Sequence, residues 1–368
     1  MARKSLSLIL ITALIASMCI TMTGCGGKKK VSYPDGVETY IYTDDYGREV
    51  ELRKDITKIV ATGPNAQMIL YTIAPEMLVG LTESPTTAQE KFFPDNYIDL
   101  PTLGQFYGKK TSLNLEALMT TEAEIIIDVG EIQEDGVEDM DGIQEQTGIA
   151  TVFIEGTMDT YPQAYEKLGK ILGKEDIAAE LSEFCQETLD LTENAKSKLK
   201  DNDIKTVMFG VNSTGLNANV EGNVQATVID TIGAKNALSP QDGEEASGKD
   251  GGNPVNLEYV YTVEPDIIVF GPGGPYDTVK ENDQWNTLTA VKDGKYYEVP
   301  GEPYSWMSSP PCVNQVLGVR WLGALVYPEL YKNDIFKDAK KYYKLFWHYD
   351  LPDKTLKKML NNSYGKLK

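Results

Sequence analysis

The side chains that most often perform catalysis are scarce in this 368-residue chain. It contains one histidine, His348, and four cysteines, of which only Cys185 and Cys312 lie beyond the first 25 residues. Histidine-based hydrolysis and zinc binding both need more of these groups in defined arrangements. No Gly-x-Ser-x-Gly, His-Glu-x-x-His or Cys-x-x-Cys motif occurs, and the glycine-rich run 271–274 lacks the Lys-Ser/Thr of a phosphate loop. We therefore expect no enzyme, no catalytic residues and no resident metal or cofactor; a secreted hydrolase is a remote alternative.

Overall charge excludes another class of function. Lys and Arg number 35 against 55 Asp and Glu, which gives a net charge of −20. Nucleic-acid binding needs a basic footprint that this chain does not have.

Cys185 and Cys312 are too few and too far apart for a disulfide framework. Two buried free thiols are the favoured interpretation, although a pairing between them stays open.

The first 25 residues carry an export signal. Arg3 and Lys4 precede an apolar run over 6–20 that is short and rich in Ser and Thr, which predicts a signal peptide over 1–24 rather than a membrane span. Cys25 follows Met-Thr-Gly and so resembles the lipid-modified cysteine of a lipobox. We expect a lipid anchor on Cys25, a flexible tether over 25–38 and a location on the extracytoplasmic face of the cell membrane.

One segment of the sequence occurs twice. Residues 113–127 and 255–269 align without a gap at an offset of 142. The matched polar residues are Asn114 with Asn256, Glu116 with Glu258 and Glu122 with Glu264. Each copy reads as an Asn-capped short helix with an acid in its first turn, followed by a buried strand. A single repeat over so long an offset predicts two similar α/β lobes rather than a solenoid.

The elements around this repeat define the predicted organisation. A hairpin over Thr39–Thr43 and Glu49–Leu52 precedes a strand at 58–61, a helix from Ala66 to Ile73 and a strand from Met77 to Leu81. Apolar residues near helical spacing over 161–200, with room for a break near Lys174, predict a long helical connector. The domains are therefore an N-terminal lobe over 39–160, this connector, and a C-terminal lobe over 201–368. The fold class is α/β, with two Rossmann-like lobes joined by one long helix.

Short motifs then occur in a fixed order along the mature chain. They are Thr43-Asp44-x-x-Gly47-Arg48-x-Val50, Lys58-Ile59-Val60, Gly63-Pro64-Asn65, Leu78-Val79-Gly80, Asn114-Leu115-Glu116, the run from Trp285 to Lys295, and Trp321-Leu322 before Tyr327-Pro328. The ordered set resembles the iron–siderophore, haem and cobalamin group of periplasmic binding proteins. The resemblance implies a class III binding-protein fold that captures a small-molecule metal chelate between its lobes. It also implies delivery to an ABC permease dimer with a cytoplasmic ATPase, docked through Glu116 and Glu258.

Candidate ligand-binding residues follow from the rule that ligands lie outside the carboxyl ends of parallel strands. Aromatic and methionine side chains in such loops suit the flat or apolar face of a chelate. The predicted residues are Asn65, Phe106, Tyr107, Lys109, Asn212, Tyr276, Tyr304, Trp306, Met307 and Ser308. The alternative for Trp306 is a structural role, in which its buried ring holds the loop against the core.

The ligand itself stays open among four chemical classes. An iron–siderophore complex comes first, although an anionic one usually needs arginine, and the predicted loops contain none. A neutral corrinoid fits aromatic walls without arginine. Haem could use a tyrosine such as Tyr107, Tyr276 or Tyr304. Molybdate or tungstate could use Ser308, Ser309 and the amides that follow Pro311. An adhesin or sensor with the same fold is a further alternative.

Overall fold

A β-hairpin is the first element of secondary structure in the described part of the chain. The computed structural model describes residues 31–108, 110–241, 245–246 and 251–364, so the predicted signal peptide, Cys25 and Lys109 lie outside the described residues. Strands β1 (Thr39–Thr43) and β2 (Glu49–Arg53) pair antiparallel, with Thr43 opposite Glu49. The turn between them contains Gly47 at φ +78°, a conformation that glycine adopts at low cost. The predicted hairpin is confirmed.

The N-terminal lobe is built on a three-stranded parallel sheet of order β3-β4-β5. Its strands are buried on both faces, which their runs of isoleucine and valine explain. The strands are β3 (Ile59–Ala61), β4 (Ile125–Gly130) and β5 (Ala150–Glu155). The helices are α1 (Pro64–Ile73), α2 (Thr87–Glu90), α3 (Asp95–Ile98), α4 (Leu115–Thr121) and α5 (Gly136–Thr147). The strand expected over Met77–Leu81 is wrong, because a 3₁₀ turn at Pro75–Met77 leaves only isolated bridges at Leu78 and Leu81.

The connector between the lobes is a helical hairpin rather than one continuous helix. Helix α6 (Tyr161–Leu172) ends at Gly173, which has φ +64°, and helix α7 (Glu175–Lys196) follows at once. The break therefore lies where the sequence predicted it. The two helices pack closely, since a Cβ placed on Gly169 would come within 2.6 Å of Cβ of Ala178.

The C-terminal lobe contains a six-stranded mixed sheet. Its path is β11-β10-β6-β7-β9, with β8 also pairing with β6. Strands β8, β10 and β11 run parallel to their partners, and β7 is antiparallel to β6 and β9. The strands are β6 (Thr206–Val211), β7 (Asn217–Ala218), β8 (Lys235–Asn236), β9 (Asn253–Pro254), β10 (Ile267–Phe270) and β11 (Tyr296–Glu298). The helices are α8 (Thr227–Thr231), α9 (Leu257–Val263), α10 (Thr289–Lys292), α11 (Asn314–Val326), α12 (Ile335–Phe346) and α13 (Asp353–Met359).

The two lobes share one apolar core. A single cluster of buried side chains includes Ile125 of the first sheet, Phe209 of the second and Phe346 of α12. Segment 347–349, which follows α12, returns to the first lobe, where the Tyr71 hydroxyl donates to the Trp347 carbonyl at 3.5 Å. Because separating the lobes would expose this shared apolar surface to water, we expect them to move little relative to each other.

A buried arginine ties the connector to the second lobe. Arg320 of α11 donates to the Thr188 hydroxyl at 2.7 Å and to the Phe184 carbonyl at 3.1 Å, and its guanidinium lies over the Phe184 ring.

Cys185 of α7 and Cys312 are buried free thiols, as favoured from the sequence. Burial raises the pKa of the Cys312 thiol to about 12. No helix in the described part of the chain has the length and apolar character needed to cross a membrane.

Candidate ligand-binding cleft

A cavity of about 1040 Å³ lies between the two lobes. The first lobe contributes the segments that follow the carboxyl ends of β3, β4 and β5, including residues 62–66 and 156–159. The second lobe contributes residues around the start of α8 and the loop between β11 and α11. The cavity thus lies where open α/β sheets bind ligands, since helix starts and strand ends converge there.

The two walls differ in charge. The first lobe lines the cavity with the carboxylates Glu83, Asp128, Glu131 and Asp159 and with the ammonium group of Lys110. The described lining from the second lobe carries no charged side chain; it consists of residues 224–225, 227, 304, 309–311 and 315. Within the described residues the cavity lining therefore holds four carboxyl groups against one ammonium group, so its formal charge is negative. Such a lining attracts cations and repels anions.

Asp128 is the most deeply buried acidic residue of the first wall. It is the fourth residue of β4, and its carboxylate accepts hydrogen bonds from the hydroxyls of Thr62 and, at 2.7 Å, Tyr107. Burial raises the pKa of the Asp128 carboxyl, because removal from water disfavours its charged form. Burial and the neighbouring Asp128 carboxyl likewise raise the pKa of Tyr107. The hydrogen bond from Tyr107 to Asp128 fixes the Tyr107 ring at the cavity surface, with its hydroxyl directed toward Asp128.

Three predicted ligand-binding residues meet in this cavity: Asn65, Tyr107 and Tyr304. The Asn65 amide donates across the lobes to the Pro311 carbonyl at 3.4 Å. The Tyr304 ring packs on Trp347, with 5.3 Å between ring centroids. The structure therefore brings together residues separated by more than two hundred positions in the sequence.

Four other predicted residues are buried away from the described lining. Trp306 is only 2% exposed and donates its indole N–H to the Tyr343 hydroxyl at 3.2 Å, and Met307 is fully buried. Phe106 lies in the core beneath its loop, and the Ser308 hydroxyl donates to Ser305. Burial in the core stabilises a large apolar side chain more than partial exposure in an open cleft does. Trp306 therefore has a structural role and holds its loop against the core.

The remaining predicted residues lie elsewhere. Asn212 adopts φ +63°, and its side chain accepts from the backbone N–H of Thr214 at 2.9 Å, so it shapes a turn. Tyr276 packs on Tyr296 in the second lobe, outside the described lining. Lys109 lies outside the described residues; its neighbour Lys110 lines the cavity.

Sequence reasoning missed the glutamine and carboxyl side chains of the lining. They are Gln89, Gln105, Gln133, Gln225, Gln315, Glu83, Asp128, Glu131 and Asp159. Glu131 follows β4 directly and Asp159 lies four residues beyond the end of β5, so their positions after strand ends were the available signal. Gln89 and Gln225 also support the cleft, since the Gln89 amide donates to the Pro303 carbonyl and Gln225 accepts from the Ser309 N–H.

The predicted docking acids occupy equivalent places outside the cavity. Glu116 and Glu258 lie in the first turns of α4 and α9, and both are exposed. Each helix is capped by an asparagine as predicted: Asn114 accepts from the Ala117 N–H at 3.0 Å, and Asn256 accepts from the Tyr259 N–H at 2.8 Å. Among the described residues, no three His, Cys, Asp or Glu side chains come together in a way that could hold a metal ion.

Comparison with known proteins agrees with this architecture. A sequence model described as periplasmic binding protein matches residues 59–303. An uncharacterised ABC transporter substrate-binding lipoprotein of Bacillus subtilis, YvrC, is 23% identical over 333 residues, which cover 88% of this chain and 98% of YvrC. The high-affinity heme uptake system protein IsdE of Staphylococcus aureus is 22% identical over 250 residues, covering 65% of this chain and 80% of IsdE.

A solved structure extends the likeness to the fold as a whole. An ABC transporter solute binding protein from Sulfurospirillum deleyianum superimposes with a TM-score of 0.76 at 24% identity. The superposition covers 87% of this chain and 99% of the other. The two-lobed α/β fold predicted from the sequence is therefore confirmed.

Proposed function

Because the chain belongs to the periplasmic binding protein family, we propose that it is an extracytoplasmic lipoprotein that captures a metal chelate between its lobes for an ABC importer. The relatives and structural neighbours of this chain include an ABC transporter substrate-binding lipoprotein, a heme uptake protein, a molybdate-binding protein and a catecholate-siderophore binding protein. The observation that supports capture most directly is the cavity of about 1040 Å³ at the carboxyl ends of the strands. Its size suits a ligand far larger than a bare ion.

The charge of the lining narrows the ligand class. Four carboxyl groups against the ammonium group of Lys110 disfavour a strongly anionic ligand, since like charges at close range repel. A neutral or cationic iron–siderophore complex therefore comes first, and a neutral corrinoid comes second. The amide and phenol groups of the lining can donate to and accept from the oxygens of either chelate.

An oxyanion fits the site less well. Molybdate or tungstate would need free amides near the start of α11. The Ser308 N–H donates to the Ser305 hydroxyl at 3.2 Å, the Ser309 N–H to Gln225 at 2.8 Å, and the Cys312 N–H to Asn314 at 3.1 Å. These donors already serve the loop itself.

Haem remains the alternative favoured by the heme uptake relative. Tyr304 is the tyrosine that the second lobe contributes to the described lining. Burial raises the pKa of Tyr304, so the phenolate form that ligates iron is disfavoured. His348 is not part of the described lining; its Nε2 lies 3.3 Å from the Tyr71 carbonyl oxygen.

Anchoring and delivery complete the proposal. A lipid on Cys25 would hold the protein at the membrane, and residues 25–38 would let it reach the permease. Glu116 and Glu258 would each meet a cationic group on one permease subunit, because two similar lobes fit a two-fold partner.

Equilibrium binding of the mature protein, residues 25–368, tests the proposal. The panel comprises a ferric hydroxamate siderophore, a ferric catecholate siderophore, cobalamin, haem, molybdate and tungstate. We expect saturable binding of one neutral or cationic chelate, with the ligand recovered chemically unchanged. Tightest binding of the catecholate complex, haem or an oxyanion would overturn the charge argument. Conversion of a ligand to product would overturn the receptor assignment.

A further inference from the structure

The exposed apolar side chains reveal a second match between the lobes. Met119 on α4 is 48% exposed and Tyr261 on α9 is 37% exposed. Their positions differ by 142 residues, the same offset that relates Glu116 to Glu258. Each follows its acid by three residues, and therefore lies beside it on one face of its short helix. Both lobes thus present an acid and a large apolar side chain side by side.

Other acids of the repeat are used by the fold. Glu122 pairs with Lys58 at 2.6 Å, and its counterpart Glu264 accepts from the Thr289 N–H at 3.3 Å. Glu124 accepts from the backbone N–H of Thr57, and the matching Asp266 accepts from that of Thr206 at 2.9 Å. These carboxylates anchor the edges of the two sheets.

Glu116 and Glu258 have no such role. In the part of the chain that the structure describes, neither carboxylate forms a salt bridge, and both are exposed together with Met119 and Tyr261. Exposed apolar side chains beside unused charges are typical of a surface that binds another protein.

From this repetition we infer that Met119 and Tyr261 are apolar docking residues, each inserting beside a docking acid into one of two equivalent subunits of the permease. The inference rests on the proposed function, since it names the partner through the delivery step. The occupant must present the same surface twice, a cationic group next to an apolar recess, because the exposed pair itself occurs twice. The permease dimer meets that requirement, whereas a single asymmetric partner does not.

The two kinds of side chain divide the work of docking. Exposed carboxylates at the rim of an interface accelerate and orient the encounter. Apolar side chains that become buried on contact slow dissociation, because their burial must be reversed before the partners separate. The Tyr261 ring is already positioned for this role, since its hydroxyl donates to the Gln284 carbonyl at 2.7 Å.

The test uses a double variant of the full lipoprotein that carries both Met119→Gln and Tyr261→Gln. The single variant Ile41→Gln is the matched control. Ile41 is 62% exposed on β1, outside the repeat. Association and dissociation with the permease–ATPase complex in proteoliposomes are measured, together with the affinity of each variant for a ferric hydroxamate siderophore, a ferric catecholate siderophore, cobalamin and haem. We expect the double variant to dissociate at least about tenfold faster with ligand affinity unchanged, and Ile41→Gln to behave as wild type.

Glu116→Ala with Glu258→Ala separates failure of this inference from failure of the proposed function. If these variants weaken docking while Met119→Gln and Tyr261→Gln leave dissociation unchanged, the inference is overturned and the proposed function stands. An equal loss in Ile41→Gln also overturns it, because the effect would then be general. If the wild-type protein does not engage the complex at all, both fail.

Discussion

The two lobes are alike where they face outward and unlike where they face each other. On the outside, α4 and α9 repeat the same Asn cap, exposed acid and exposed apolar residue at a constant offset. On the inside, the first lobe lines the cleft with four carboxylates and the second lobe has no charge in the described lining. A partner with two equivalent surfaces requires matched lobes, whereas a ligand without two-fold symmetry does not. The match between the lobes therefore persists on the face proposed for docking and at the sheet edges, and it is lost in the cleft.

A single pair of aligned positions shows the same divergence inside the sheets. Asp128 of β4 and Phe270 of β10 are related by the offset of 142. Asp128 turns its carboxylate toward Thr62 and Tyr107 at the cleft, while Phe270 packs on Trp285 in the second core, with ring centroids 5.4 Å apart. The same structural place thus lines the cleft in one lobe and packs in the core of the other.

Removing the outward match should have the largest effect. We expect Glu116→Ala with Glu258→Ala to abolish uptake while ligand affinity stays unchanged, and each single variant to lower uptake by a similar factor. The reason is that both acids would make equivalent contacts with a two-fold partner. Transport of labelled ligand in cells and equilibrium binding of the purified protein are the two measurements. A loss of ligand affinity in the double variant would contradict the docking role.

Making the inner walls alike should have the next largest effect. Glu131→Gln with Asp159→Asn removes two exposed charges from the first wall. We expect the affinity for a cationic chelate to fall about three- to tenfold, and that for a neutral chelate to change less. Calorimetry with both chelates measures the difference. Glu138→Gln with Glu145→Gln, on α5 outside the described lining, is the charge-matched control. An equal loss for both chelates would show that charge does not select the ligand.

Asp128 offers a sharper test through pH. Burial raises its pKa in the folded state, so between the unfolded and the folded pKa the folded protein keeps a proton that the unfolded chain releases. Its contribution to the free energy of unfolding is therefore greatest in acid and declines as pH rises through the unfolded and then the folded pKa. Asp128→Asn cannot release this proton. We expect its stability relative to wild type to improve from about pH 4 upward and to level off above the folded pKa of Asp128, measured by urea unfolding. A difference that stays constant with pH would contradict this.

The smallest expected effect concerns the relation between the lobes themselves. Their shared core and the bond from Gln89 to Pro303 oppose separation. We expect ligand binding to change the radius of gyration by less than about 1 Å, as measured by small-angle scattering. A large closure would show that the shared core is not the hinge constraint that we infer.

Much of the fold could be predicted from local sequence patterns. Three features depend on residues close together in the sequence: the Asn caps, the hairpin at Gly47 and the break at Gly173. Neighbouring residues therefore determine their geometry. The repeat at 113–127 and 255–269 predicted two lobes because each copy carries its own helix and strand. The strand over Met77–Leu81 failed because pairing depends on a neighbouring segment, which supplies only isolated bridges.

The cleft was predicted less well. Asn65, Tyr107 and Tyr304 were found from their places after strands, and the amide and acid side chains beside them were missed. Trp306 and Met307 follow a strand in the same way, yet the core takes them. Local sequence does not distinguish these cases, because an aromatic residue in a loop can turn either inward or toward the cleft.

What the sequence determined by itself is the class of molecule: two α/β lobes, an acidic chain poor in catalytic side chains, and matched acids on both lobes. Only the tertiary structure decided which wall of the cleft is charged, that Asp128 and Phe270 diverge, and that Met119 and Tyr261 stay exposed. Helix caps and turns act over a few residues, whereas burial depends on what distant segments leave uncovered when they pack.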